Sequence, residues 1–265
     1  MTLPRIIDTH AHLFFPDLVQ RMGEVISNAK ASGLARIINI VLGRTIAELK
    51  SQVDAASRLD IVTNIVGIHP NEVSEISPNL INEFEAILDN KCVAGIGEIG
   101  LDFHYPGFDA RIQEDIFRTL IRIAKSRKLP VVIHQRDAFD RTVKILEEEN
   151  VPGTIPFVFH CFGGTVEESD RIISMGGLIS LTGIITFKKA LNLRETVAKI
   201  PLEKLMVETD SPYLAPEPKR GKPNEPANVV YVAKKLAEIK GIPLEEAARV
   251  TTLNAKNFFS LEGKI

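Results

Sequence analysis

The sequence predicts a (β/α)8 barrel, and three observations carry that prediction. Eight short runs rich in β-branched residues recur along the chain, each is followed by a longer segment of helical period, and their starts lie roughly 30 residues apart, the length of one βα unit. With 265 residues, 45% hydrophobic and 25% charged, the chain has the composition of an ordinary globular protein and the length of one such barrel. No linker-like or low-complexity stretch interrupts it, so a single domain over 1–265 is expected.

In chain order the expected strands lie near Ile6 to His10, Arg36 to Val41, Thr63 to Ile68 and Val93 to Glu98, then Pro130 to His134, Pro156 to His160, Leu178 to Leu181 and Lys204 to Glu208. Between them the helical periods fall near 17–32, 44–58, 79–89, 111–128, 138–149, 166–175, 188–199 and 225–240. Ile112, Ile116, Leu120, Ile123 and Ala124, three and four residues apart, read as the buried stripe of the fourth-strand crossover. After Pro243, an apolar period through Leu244, Ala247, Val250, Leu253 and Phe258 predicts an extra C-terminal helix. The structural alternative is an open doubly wound sheet.

Thirty-two Lys and Arg against 34 Asp and Glu give a net charge of −2. There is thus no chain-wide basic field to hold long nucleic acid by counterion release, and any polyanion must be gripped locally. Cys92 and Cys161 are too few for a disulfide framework, and Cys92 reads as packing ahead of the fourth strand. No apolar run reaches membrane-spanning length, and Met1 to Arg5 leads directly into a strand, with no space for a signal peptide. A cytoplasmic protein with no membrane and no obligate protein partner is expected.

Five of the six histidines, His10, His12, His69, His134 and His160, fall at the C-terminal ends of the expected strands, the face on which barrels build active sites. His10 and His12, two apart on a strand, point the same way and can hold one metal ion. Glu98 is expected to end the fourth strand amid the small residues of Gly95 to Asp102, and Glu208 and Asp210, two apart at the eighth, are expected to face one way. Neutral imidazoles with two carboxylates suit two divalent ions, Glu98 bridging them, with Asp210 both a ligand and the acceptor of the attacking water's proton. The reaction class is then hydrolysis. No phosphate-cradling Gly-rich loop, GxSxG elbow or dinucleotide fingerprint competes.

The motifs DTHAHL at Asp8 to Leu13, GIHP at Gly67 to Pro70, GEIGLD at Gly97 to Asp102, LPVVIHQRDA at Leu129 to Ala138 and HCFGG at His160 to Gly164 are followed by ETDSPYLAP at Glu208 to Pro216, RGKPNEP at Arg220 to Pro226 and TTLNAKNFF at Thr251 to Phe259. In order and spacing this series resembles the TatD-type metal-dependent deoxyribonucleases, over nearly the whole chain. The resemblance implies a cytoplasmic barrel hydrolase of the amidohydrolase superfamily that cleaves DNA with divalent metal, commonly as a 3′-to-5′ exonuclease. By position it implies His10 and His12 for a first metal site, Glu98 as shared ligand, His134 and His160 for a second site, Asp210 as the eighth-strand ligand and His69 beside the metals.

The resemblance implies magnesium as the working ion, whereas imidazoles favour zinc or manganese. His104, in Phe103 to Pro106, departs from the family's loop and reads as exposed. Cys161 is expected to point away from the metals. Arg220 and Lys222 are candidates for phosphate contact in the loop after strand eight, and Arg136 with Asp137 for the rim, where their salt bridge is the plain alternative. The leading expectation is a phosphodiesterase acting on short or single-stranded DNA ends. The competing one is an ester or amide hydrolase, such as a deacylase of mischarged aminoacyl-tRNA.

Overall fold

The computed structural model describes residues 5–107 and 109–261. Met1 to Pro4, part of the stretch expected to leave no space for a signal peptide, lie outside the described residues, as does the end of the 1–265 domain. The chain begins with β1 (Ile6–Ala11), α1 (Pro16–Val19), α2 (Met22–Ala31), β2 (Leu34–Leu42), α3 (Ile46–Ala56) and β3 (Val62–Gly67). It continues with a 3-10 turn at Pro70–Glu72, α4 (Leu80–Glu83) and a second such turn at Phe84–Ile87, β4 (Val93–Asp102), α5 (Ala110–Arg127), β5 (Val131–Arg136) and α6 (Phe139–Glu148). The last part holds β6 (Phe157–Phe159), α7 (Val166–Ser174), β7 (Leu178–Leu181), α8 (Leu191–Lys199), β8 (Leu205–Val207), α9 (Val229–Lys240) and α10 (Leu244–Phe258).

The fold class is the expected (β/α)8 barrel, its eight strands following one another from β1 to β8. That order lacks the reversal an open doubly wound sheet requires. The expected C-terminal helix is α10. Among the described residues no helix is long and apolar enough to cross a membrane. Among the described residues two compact units are distinguished: those up to Asn39, Cys161–Ser174 and those from Leu178 onward form the first, and those from Ile40 to His160 with Met175–Gly177 the second.

In the first unit, β1 pairs in parallel with the first part of β2, with Ile7 opposite Arg36 and Ala11 opposite Asn39, while β7 pairs with β8 from Ile179 and Leu205 to Leu181 and Val207. Beyond β8 the chain rejoins β1, since Asp210 N donates to His10 O at 2.9 Å and His12 N donates to Ser211 O at 2.8 Å. Val229, Val232, Ala233 and Leu236 of α9 and Ala247, Ala248 and Thr251 of α10 are buried, and α10 packs on β1, β8 and α9. Removing this much apolar surface from water is the main force holding the unit. The single helix expected near 17–32 is broken at Arg21, whose φ of −125° is not helical.

In the second unit, β3, β4, β5 and β6 pair in parallel. β4 extends to Asp102, opposite Arg136, with a register irregularity between Ile96 and Ile99. Glu98 therefore lies inside a strand expected to end there, and β5 likewise runs two residues past His134. β4 and β5 approach so closely that a Cβ on Gly100, whose φ is +146°, would sit 2.0 Å from His134 O, and β3 and β4 so closely that one on Gly67 would meet the Gly97 carbonyl carbon at 2.4 Å. Of the stripe expected on α5, Leu120, Ile123 and Ala124 are buried, whereas in the first turns Gln113 and Phe117 are buried in place of Ile112 and Ile116. Gln113 explains the exchange, because its Oε1 accepts from Asp102 N at 2.9 Å and its Nε2 donates to Asp102 O at 3.0 Å, satisfying a buried amide.

Candidate functional site

The first unit gathers His10, His12 and Asp210. His10 and His12 face each other through their Nε2 atoms at 3.3 Å, and Asp210 Oδ1 lies 3.7 Å from the one and 3.4 Å from the other. The strand alternation that places the two imidazoles together also places Asp8 on their side. Asp8 is fully buried and accepts from Thr209 N at 2.8 Å, Thr209 Oγ1 at 2.6 Å and His10 N at 3.3 Å. Burial raises its pKa well above the usual carboxylate range, opposed by these hydrogen bonds and reinforced by the nearby Glu208 charge.

Thr209 precedes Asp210, which adopts the left-handed conformation at φ 54°, an arrangement that persists for a non-glycine only when its surroundings enforce it. Asn224 completes the enforcement, its Nδ2 donating to Thr209 O at 3.0 Å and Tyr213 O at 2.7 Å. Phe15 stacks on His12 with ring centres 4.7 Å apart.

β8 ends at Val207, so Glu208 and Asp210 both lie past the strand whose alternation was expected to orient them, and Asp210 is left-handed. Glu208 Oε1 accepts from Cys161 N at 2.7 Å. Cys161, also left-handed at φ 48°, places its sulfur 3.8 Å from Thr182 Oγ1. Arg220 lies over the Phe187 ring at 4.0 Å, and Lys222 is exposed in the same loop.

The second unit gathers His69, Glu98, His134 and His160. One oxygen, Glu98 Oε1, lies 2.5 Å from His134 Nδ1, 2.7 Å from His160 Nε2 and 3.5 Å from His69 Nε2. The carboxylate is almost wholly buried, a position that is costly without such partners. His69 Nδ1 accepts from Asn71 N at 3.1 Å, so the neutral ring carries its proton on Nε2 and is a donor toward Glu98.

Asp102, not assigned from sequence, holds this group from behind. Its Oδ2 is 3.3 Å from His134 Nε2 and accepts from Asn71 Nδ2 at 3.1 Å, and its Oδ1 accepts from His104 N at 3.0 Å. Burial raises the Asp102 pKa, but hydrogen bonds from His134 and His104 and the charge on His134 outweigh it and hold the carboxyl at about 2. Burial opposes charge on His134 too, yet Asp102 and Glu98 outweigh it and raise its pKa. The available signal for Asp102 was its place four residues beyond Glu98 on an alternating strand. Of the two rim candidates, Asp137 faces His104 Nδ1 at 2.7 Å and Arg136 turns to Tyr105, in place of the salt bridge that was the plain alternative. His104 is exposed, as expected.

A family model described as TatD related DNase matches residues 7–260. The uncharacterized metal-dependent hydrolase YabD of Bacillus subtilis is 36% identical over 256 residues, 97% of this chain and 99% of its own. YcfH of Escherichia coli K12, described in the same words, is 34% identical, covering 97% and 96%. Among solved structures, YJJV, a TatD homolog from E. coli K12, superposes with a TM-score of 0.89 at 28% identity, covering 96% of this chain and 98% of its own.

Divalent cations suit the donors present. Beside Glu98 Oε1 stand His134 Nδ1 and His160 Nε2, at 2.5 Å and 2.7 Å, and in the first unit two Nε2 atoms converge with a carboxylate oxygen. Mixed imidazole and carboxylate sets of this kind bind zinc, manganese or iron, and magnesium with fewer nitrogens.

Proposed function

The chain belongs to the TatD-related DNase family and is a metal-dependent hydrolase, and from that premise we propose that it cleaves DNA phosphodiester bonds, as a 3′-to-5′ exonuclease on single-stranded or frayed ends. The observation that carries the reading is the pair of donor sets, His10, His12 and Asp210 in one unit and Glu98, His134 and His160 in the other, each mixing neutral nitrogen with carboxylate oxygen. Each set would hold one divalent cation. Such ions supply Lewis acidity and bring the pKa of water toward neutrality.

The chain's own groups do the rest. Asp210, held at a fixed angle by Thr209 and Asn224 and 14% exposed, accepts the proton of the attacking water at a carboxylate oxygen. His69 Nε2 donates toward Glu98 and keeps that carboxylate oriented, a positioning part more than that of a base. Arg220, Lys222 and Arg136 supply local positive charge for phosphates where the chain's overall balance does not. A cytoplasmic setting belongs to the same reading, since two cysteines are too few for a disulfide framework.

The test is metal analysis of gently purified protein, followed by 3′-labelled and 5′-labelled single-stranded DNA, RNA and aminoacyl esters, each with magnesium, manganese and zinc. Release of mononucleotides from the 3′ end of DNA is expected. Acyl hydrolysis without phosphodiester cleavage would replace the reading with the ester hydrolase.

A further inference from the structure

The loops after β4 and β5 carry an exposed aromatic and cationic cluster that the hydrolytic groups do not use. Phe103 is 38% and Tyr105 48% exposed, whereas large rings ordinarily contribute most when buried. The guanidinium carbon of Arg136 lies 5.1 Å from the centre of the Tyr105 ring, and Arg136 Nη1 donates to Tyr105 Oη at 3.2 Å. The His104 ring meets that of Tyr105 edge-on at 5.0 Å, and its own Nδ1 is tied to Asp137.

The cluster rests on the strand ladder. Phe103 N donates to Arg136 O at 2.9 Å, one step beyond the pairing of Asp102 with Arg136. His104 N donates to Asp102 Oδ1, and the other oxygen of Asp102 faces His134. The rings are thereby referenced to a residue of the second donor set. Asp102 and Glu98 both reach the His134 ring, at 3.3 Å and 2.5 Å, so the loop that starts at Phe103 stands beside the second donor set.

The chemistry of the cluster selects the occupant. Aromatic faces and a guanidinium plane match the faces of unpaired nucleobases, which a duplex hides and a single strand presents. Two rings flanked by His104, Asp137 and Arg136 do not make the contiguous apolar area that a protein partner needs. We propose that Tyr105, with Phe103 and Arg136, is a stacking platform for an unpaired nucleobase within the few nucleotides nearest the cleaved bond, an inference that rests on the DNA reading and adds its preference for single strands.

The experiment uses single-stranded oligonucleotides that carry 2-aminopurine near the 3′ end, and matched strands abasic at the same positions. Wild-type protein should quench the 2-aminopurine on binding, and Tyr105→Ala should lose the quenching and raise KM about ten-fold with a smaller change in kcat. Tyr105→Phe, which keeps the ring, should recover most of the loss, and on the abasic strand the penalty of Tyr105→Ala should shrink to under two-fold. An equal penalty on base-bearing and abasic strands, or binding without quenching, overturns the platform. Quenching retained while no metal supports DNA cleavage supports the platform and sinks the phosphodiesterase reading instead.

Discussion

The two donor sets are held in place by different means. In the first unit, His10, His12 and Asp210 come from two short stretches, and the chain around them is pinned by buried hydrogen bonds from Asp8 through Thr209 to Asn224. In the second, His69, Glu98, His134 and His160 come from four separate places along the chain and are gathered around a single carboxylate oxygen, with Asp102 behind. The first set depends on backbone conformation, above all the left-handed Asp210. The second depends on charge. A change of shape should therefore damage the first, and a change of charge at constant shape the second.

The largest effect should come from Glu98→Gln, which keeps volume and removes the charge facing three imidazoles. Turnover should fall by three orders of magnitude or more with an unchanged circular dichroism spectrum; retention of most activity at saturating metal would leave Glu98 a structural residue and break the contrast. Asp210→Asn should lower kcat about 100-fold while raising KM far less, because the lost proton acceptor serves the transition state. If KM rises and kcat is preserved, Asp210 positions substrate and the acceptor lies elsewhere.

Thr209→Val tests the backbone half of the comparison directly. It strips one donor from buried Asp8 and should cost about 1–3 kcal/mol in urea unfolding, with kcat reduced by release of Asp210. A stable, fully active variant would show that Asp8 does not hold the turn.

The smallest effect concerns acid. On the helices of the second unit, the hydrogen bond from Arg122, with further help from Arg118, outweighs burial and holds Glu149 below its ordinary value, and Arg141 does the same for Glu114. Lowered carboxyl values stabilise above about pH 4.5, the ordinary Glu value, and that stabilisation fades as pH falls through the lowered ones. Hydrogen exchange should then quicken in α5 and α6 before α9, with a fall of a few degrees in Tm. Simultaneous loosening of α9 would remove the distinction.

The same difference governs what could be read before the fold was seen. His10 and His12 are legible because the alternation of β1, which ends at Ala11, carries one residue further, and the barrel itself follows from eight runs at regular spacing. Glu208 with Asp210 follows the same rule in sequence, but both lie past the end of β8 at Val207 and Asp210 is left-handed, so the strand's alternation does not fix where either side chain goes. β4 runs past its expected end at Glu98, and the glycines at 95, 97 and 100, expected only as small residues around Glu98, have a further part. They are the places where neighbouring backbones leave no space for a side chain. Asp8, Asp102 and Thr209 escaped assignment, since a supporting hydrogen bond has no signature until both partners are placed.

Gly67 and Gly100 also limit how this protein can change over generations. Any side chain at Gly100 would overlap the His134 carbonyl, and one at Gly67 would strike the backbone of Gly97, so substitutions there are purged whatever substrate is favoured. Phe103 and Tyr105, out in the loops, carry no such penalty. Variation that survives accumulates at the rim and not beneath it, and a lineage descended from this chain can alter which molecules it accepts long before it can alter the reaction it performs on them.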